Sequence, residues 1–481
     1  MSAAGDPAAL DRSQEEARAL AQAVLDRVLA HLAGLATAPA CGDVEPARAA
    51  ALCRALREGP PEQGAPIDAL LAPLFDEWVP RSFGTNGPGY LAYIPGGGLF
   101  EAALADLIAD STNRFTGTWA AAPALVQLEA NVLEWFREWM GMPEGTRGLL
   151  TSGGSLANFA AIVAAREKLL GPALRDGVLY ASVQSHLCIG KAARLAGILP
   201  DRVRLLPVDA GFRLRIDALA DAIAADRRAG LLPFLVASSA GTTNTGAVDR
   251  LDEVADLCAG EGLWHHVDGA YGAFFHMVPE LRPLLRGLPR ADSLALDPHK
   301  GLFLPYGTGA VLVRDGEALR AAHAATAGYL PPVPDEFHDP SQYGPELSRP
   351  FRGLRIWLPV KLHGTARLRA AVAEKRALAL LAAERLARVP GLVLVAPPQL
   401  SLLAFHLQWP GSTPAQRDAA TQELVRRVTA RQRVMLSGCT VGSAYLARLC
   451  VLSFRTRRDH VESAAEDIAT ESAAILRLRN P

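Results

Sequence analysis

Lys300 closes the string Asp297-Pro298-His299-Lys300, directly behind residues 294–296, an apolar run that reads as a buried strand. A lysine held there with its amine desolvated has a lowered pKa and serves as a nucleophile or forms a Schiff base; a surface lysine is the plainer alternative. Upstream, Asp268 ends a second apolar run inside "LWHHVDGAYGAFF", followed by Gly269 and Ala270, which leave room for a flat ligand. A buried carboxylate is costly unless a cation pairs with it, and an N-cap aspartate is the alternative. "LLTSGGSLANFAA" sets Ser152, Gly153, Gly154 and Ser155 between an apolar run and a helical pattern. Backbone amides at such a turn, aided by the helix dipole, suit an anion such as a phosphate; a serine N-cap on a tight turn would look the same. His186, in "ASVQSHLCIGKAARLAG", stands just past another apolar run, and Thr242 and Thr243 supply hydroxyls after a further one. Taken singly, each of these also has a structural reading.

Taken together they describe one site. An anion cradle, a strand-end aspartate, a flat slot and a strand-end lysine are the parts that pyridoxal phosphate requires: a phosphate clamp, a partner for the protonated ring nitrogen, space for the ring and an amine for its aldehyde. The order along the chain suits this, with the phosphate turn first, then the histidine, then Asp268, then Lys300 32 residues later.

Residues of this kind must be held at the carboxyl ends of strands in an open α/β sheet. Apolar runs at 148–150, 178–181, 203–207, 234–237, 263–267, 294–296 and 310–313 read as strands, with helical periodicity between most of them. This alternation predicts an α/β domain with a largely parallel sheet. A helical region over 354–387 then leads to runs at 392–395, 402–407 and 446–453, which predict a smaller α+β domain with antiparallel strands. At the other end, Leu20, Val24, Leu25, Val28, Leu29 and Leu32 recur at helical spacing, and an amphipathic helix so far from the core serves a partner subunit. The expected division is residues 1–90 as an N-terminal helical segment, 91–350 as the large domain and 351–481 as the small one.

Composition excludes several classes. The 481 residues carry 49 Lys+Arg against 50 Asp+Glu, with no basic block, which argues against nucleic acid or an anionic membrane as partner. The six cysteines have neither CxxC nor Cys/His metal spacing, so no metal site is expected. The first residues are polar and acidic, and no stretch is apolar enough to span a bilayer, so a cytoplasmic protein acting on a small molecule is expected.

The motifs carry a family resemblance from about residue 84 to 468. "HVDGAYG" and "DPHK", with "NRFTGTWAAAPALVQLE", "QSHLCIGKAARLAG", "GTTNTGAVD" and "LSRPFRGLRIW" in the same order, resemble the group II pyridoxal-phosphate decarboxylases, which include the aromatic L-amino-acid and glutamate decarboxylases. The resemblance implies fold type I, the aspartate aminotransferase-like α/β architecture, in a homodimer with the active site at the subunit interface and the N-terminal helix clasping the partner. It implies that Lys300 holds the cofactor as a Schiff base, that Asp268 keeps the pyridine nitrogen protonated and that His186 stacks on the ring. Thr243, Ala270 and His299 match positions around the ring and phosphate, and Gly154 and Ser155 match the phosphate turn. The implied reaction is decarboxylation of an L-amino acid, aromatic first, to the amine and carbon dioxide. The alternatives are oxidative decarboxylation-deamination to an aldehyde, and a non-catalytic cofactor-binding homologue.

The departures concern the pocket and the loop. Tyr93, Pro95, Gly96, Phe115 and Trp119 are the expected substrate-pocket residues, without the threonine that faces a catechol in animal members. The proton-donating loop tyrosine is expected at Tyr343, with Tyr329 as its competitor. Asp297 replaces an asparagine common in animal members, and Gly301 replaces a bulky aromatic residue.

Overall fold

The computed structural model describes residues 10–42, 45–325, 333–334 and 336–479. Each apolar run of the first part forms a strand: β1 (Arg147–Thr151), β2 (Gly177–Ser182), β3 (Val203–Leu206), β4 (Leu232–Ser239), β5 (Trp264–Asp268), β6 (Ser293–Leu296) and β7 (Gly309–Val313). They build one sheet in the order β1-β7-β6-β5-β4-β2-β3. Pairing is parallel from β3 through β6, and only β7 runs antiparallel, between β6 and β1. The expectation of a largely parallel sheet therefore holds with one reversed strand. Residues 297–308 join β6 to β7 with only a one-turn helix and no crossover helix packed on the sheet, which suits the antiparallel pairing of these two strands.

Both faces of this sheet are covered, as its nearly continuous apolar strands require. Leu294, Leu296, Ala310 and Leu312 enter one core with Phe136, Phe274 and Ile356, while the intervening Ala295, Val311 and Val313 enter another with Ala160, Ala161 and Ala164. The second face is covered closely by the helix Gly154–Leu169, whose inward residues include Ala157, Ala160, Ala161, Ala164 and Ala165. Small side chains let that helix sit low on the sheet, which brings its N-terminus to the ends of the strands.

The second sheet comprises β8 (Leu392–Leu394), β9 (Leu402–Leu407), β10 (Ser437–Val441) and β11 (Ala444–Cys450), antiparallel in the order β10-β11-β9-β8. β10 is absent from the sequence expectation because "SGCTV" at a sheet edge lacks an apolar signal. The long helical region runs as Arg352–Leu386 but breaks at Gly364, whose φ of 75° and ψ of 153° are not helical. The helix Gln14–Gly34 buries none of its residues, and Val24, Leu25 and Leu29 stay exposed. No helix among the described residues is long and apolar enough to cross a membrane.

β5 carries two wholly buried histidines. His266 accepts from the Ser293 hydroxyl at Nδ1 (2.8 Å) and donates from Nε2 to Asn158 Oδ1 (2.7 Å), while His265 Nε2 meets Ser238 Oγ at 2.8 Å. Burial lowers both pKa values to about 3 from the ordinary 6.5. Between those values the unfolded chain binds the extra protons, so stability is complete above about pH 6.5 and is lost as pH falls through the window. The expected slope in denaturant unfolding is about 1.4 kcal/mol per pH unit per histidine, reduced in His266→Gln. An unfolding midpoint that stays constant from pH 7 to pH 5 would contradict it.

Candidate active site

The carboxyl ends of β1, β2, β4, β5 and β6 open onto a cavity of about 360 Å³. Its walls contain every residue that sequence reasoning assigned to the cofactor: Gly154, Ser155, His186, Thr243, Asp268, Ala270, His299 and Lys300. Residues from five separate strand ends, those of β1, β2, β4, β5 and β6, thus converge, over a chain separation of nearly 150 positions.

Lys300 lies in a one-turn helix, Pro298–Gly301, that follows β6 directly. Pro298 suits the first helical position because its fixed φ and missing N–H cost nothing there, and the Lys300 amide donates to the Asp297 carbonyl (2.8 Å). The side chain reaches back to Asp297, with Nζ 2.7 Å from Oδ2. Burial alone would lower the Lys300 pKa, but the carboxylates of Asp297 and, less strongly, Asp268 outweigh it and raise the value. The sequence expectation of a lowered amine pKa is therefore reversed. A desolvated lysine was foreseen, and the two carboxylates beside it were not combined with it.

Asp268 is fixed on both sides, in register with Ser239 of β4 and Ala295 of β6. Its Oδ1 accepts from the Ala270 amide (3.2 Å). Burial raises its pKa, opposed by Lys300, that amide and His186. Such a carboxylate is best satisfied by a cation arriving in the cavity.

The anion cradle is open in the way an incoming phosphate needs. Gly153 caps the helix Gly154–Leu169 without a side-chain hydrogen bond, leaving its first amides directed outward. A Cβ on Gly154 would lie 2.9 Å from the Ala270 Cβ and 3.1 Å from Asp297 Oδ2, so glycine is required for this close approach. Buried Asp297 Oδ1 has no hydrogen-bond partner among the described residues. A glycine turn with uncapped amides, a buried carboxylate at a strand end and a lysine amine in the same cavity fit a flat, phosphorylated, cationic-ring cofactor.

His186 stands at the mouth of the cavity, where partial burial and the Lys300 charge lower its pKa, so the ring is neutral at neutral pH. His299 donates from Nδ1 to the Thr308 carbonyl (2.7 Å), which leaves Nε2 facing Asp297 Oδ2 at 3.7 Å. The β11 residue Arg448 ties the surrounding loops together. Its buried guanidinium donates to the carbonyls of Thr243, Asn244 (3.1 Å) and Tyr93 (3.3 Å) and to Ser437 Oγ (3.2 Å).

The cavity walls also include Asn158, Cys188, Ser239, Gly241, Tyr271 and Asp297, which sequence reasoning did not assign to the cofactor. Asn158 was findable, since it lies four residues after Gly154 and hence on the same helix face. Gly301 has a steric reason: a Cβ there would come within 2.7 Å of Phe274, which fills the volume a bulkier residue would need.

None of the expected substrate-pocket residues lines this cavity. Tyr93 is half exposed and stacks on Phe83 at 6.3 Å, and Trp119 stacks on Phe337 at 4.6 Å. Phe115 is exposed and Pro95 is buried. Gly96 comes nearest, since a Cβ there would meet the His299 carbonyl at 3.1 Å and the Tyr306 ring at 3.2 Å. Tyr343 does not line this cavity: its buried ring stacks on His338 at 4.6 Å and lines a separate cavity with Arg147 and Gln127. Apolar packing has claimed that ring, which sequence spacing could not reveal. Tyr329 lies outside the described residues.

Residues 61–408 match the model of the pyridoxal-dependent decarboxylase conserved domain. The chain is 32% identical over 458 residues to an aromatic-L-amino-acid decarboxylase of Bacillus atrophaeus, covering 94% of each. Among solved structures it is similar to Oryza sativa TDC with PLP and tryptamine, at TM-score 0.90 and 28% identity over 98% of this chain and 99% of that one. It is also similar to Rhodiola rosea 4-hydroxyphenylacetaldehyde synthase, at TM-score 0.89 and 27% identity over 98% and 99%.

Proposed function

The chain belongs to the pyridoxal-dependent decarboxylases, and from that premise we propose that it removes the carboxylate of an aromatic L-amino acid as carbon dioxide, with pyridoxal phosphate held at Lys300. The observation that carries this reading is the meeting of Lys300, Asp268 and the Gly153-Gly154 turn in one cavity. An aromatic substrate is supported by what the similar proteins are named for.

Each residue has a distinct task. The amides at the start of the helix Gly154–Leu169, with Ser155, bind the phosphate. Asp268 would pair with a protonated ring nitrogen, and Ala270 would leave room for the ring. His186 covers the open side as a neutral imidazole, and Thr243 and His299 bound the ring and phosphate. Lys300 would supply the amine that holds the cofactor, and the same amine, when free, would move protons near the substrate Cα. Bound there, pyridoxal phosphate supplies the sink for the electron pair released as the Cα–carboxylate bond breaks.

Release of an aldehyde with carbon dioxide, ammonia and hydrogen peroxide, in which dioxygen is the oxidant and water is consumed, is the second reading, favoured by the likeness to an aldehyde synthase. In our reading Tyr329 is the phenol that protonates Cα. Tyr343→Phe is therefore expected to leave the ratio of amine to aldehyde unchanged, and Tyr329→Phe to shift it toward aldehyde by about tenfold or more. Incubation with a panel of amino acids, with amine, aldehyde and peroxide assayed together, measures both this ratio and the substrate class. Aldehyde and peroxide as the main wild-type products would replace the first reading with the second.

The active form in this reading is a cytoplasmic homodimer. The helix Gln14–Gly34, with Val24, Leu25 and Leu29 unburied, would clasp the second subunit, and exposed Tyr93 and Phe115 would meet substrate at the interface. The division at residues 90 and 350 separates this helical segment from the large and small domains.

A further inference from the structure

Asp297 has a part in the site that catalysis by Lys300 and Asp268 does not require. Its carboxylate is buried, with one oxygen 2.7 Å from Lys300 Nζ and the other without a hydrogen-bond partner among the described residues. Both oxygens lie against the glycine turn, Oδ2 at 3.1 Å from a Cβ built on Gly154 and Oδ1 at 3.8 Å from one built on Gly153. The cradle that attracts a phosphate thus has a carboxylate built into its floor. Resting on the cofactor reading above, we propose that Asp297 is a positioning residue that makes cofactor loading proton-linked: it holds Lys300 by an ion pair in the unloaded protein, and phosphate entry beside it requires one proton to be shared between the carboxylate and the phosphate.

The physical reason is the repulsion of like charges. A phosphate monoester carries about −1.5 to −2 charges at neutral pH, and two anions sharing a site hold a proton that neither would hold alone. No other neighbour removes the conflict. The titratable groups that act on Asp297 or share its cavity are Lys300 and His299 on its own segment, Asp268 at the end of β5, Tyr271 just after it, whose phenol burial holds neutral, and His186 and Cys188 beyond β2. Asp268 adds negative charge, and burial raises the Cys188 thiol pKa to about 12 and keeps it neutral. Burial lowers the pKa of His186 and of His299 and so favours their neutral forms. Lys300 itself is committed to the cofactor aldehyde on loading, so the carboxylate loses its partner as the phosphate arrives.

The test is equilibrium binding to cofactor-free protein, read by quenching of tryptophan fluorescence, with pyridoxal phosphate and with pyridoxal, which has the aldehyde but no phosphate. Between about pH 6.5 and pH 8.5, one linked proton weakens wild-type pyridoxal phosphate binding about tenfold per pH unit relative to pyridoxal. In Asp297→Asn that relative slope is expected to vanish, and pyridoxal phosphate binds at least about tenfold more tightly than to wild type near pH 8.5. Effects of the substitution on Lys300 occur with both probes and cancel in the comparison. Asp297→Ser, checked for folding by its melting transition, is expected to repeat the result. Equal relative slopes in wild type and both variants overturn the proposal, as does an Asp297→Asn change of equal size with pyridoxal. If wild type binds neither probe, the cofactor reading fails and the proposal with it, whereas tight binding without the slope overturns the proposal alone.

Discussion

Lys300→Ala is expected to lose the absorbance band of covalently held cofactor and about 10³-fold or more of its turnover. Two losses add up here. Without the amine there is no bond to the cofactor aldehyde, and borohydride reduction leaves no mass increase on the protein. Proton transfer by a positioned amine, worth about 10²- to 10⁴-fold, disappears as well. The phosphate turn remains, so the variant still binds the cofactor, and the loss falls on kcat more than on KM. Fold stability without cofactor changes little in this variant. A buried ammonium is removed, but so is the partner of Asp297, and a carboxylate left alone in the cavity offsets the gain. A Lys300→Ala protein that kept the wild-type band after dialysis would place the attachment elsewhere and end the assignment.

Asp268→Asn carries the second large effect, with opposite signs for stability and function. Burial raises the Asp268 pKa because the cavity solvates a carboxylate poorly. In the unloaded protein an asparagine is therefore as stable as the aspartate or more so, since burying a neutral amide costs less than burying a charge. In the loaded enzyme the sign reverses. The protonated ring nitrogen then faces a neutral amide, and an uncompensated buried charge costs about 3–5 kcal/mol, about 10³-fold in rate when the electron sink depends on that charge. Covalent attachment at Lys300 survives. The expected pattern is a melting temperature equal to or above wild type without cofactor, a retained absorbance band and a kcat reduced about 10³-fold. A variant within tenfold of wild-type turnover would remove Asp268 from its role.

These expectations rest on features of unequal visibility in the sequence. Strands were legible because a parallel sheet covered on both faces needs nearly continuous apolar runs, such as "FLVA" and "LAL". The cofactor-site residues were legible because they immediately follow those runs, so a local rule, to read what stands after each strand, found Gly154, Thr243, Asp268 and Lys300 without knowledge of the sheet order. β10 was missed because an edge strand of "SGCTV" derives its pairing from β11 rather than from its own hydrophobicity. The break at Gly364 within the long helix was missed because a single glycine is tolerated in most helical patterns.

Residues placed by long-range packing were the ones whose surroundings the sequence did not show. Tyr343 and Tyr93 stand in loops whose course depends on which core accepts the ring, His338 and the sheet core for one and Phe83 for the other. Chain order says nothing about that choice. The Lys300 pKa was misjudged for a related reason, since proximity in sequence to Asp297 did not reveal that the one-turn helix folds the amine back to 2.7 Å from its carboxylate. By itself the sequence determined the strands, the residues at their ends and the cofactor that those residues accept, because each depends on local periodicity and residue type. Only the tertiary structure decided the electrostatic state of Lys300, the steric need for Gly301 beside Phe274 and the packing of the Tyr343 ring on His338. Those depend on distances between atoms that sequence separation does not constrain.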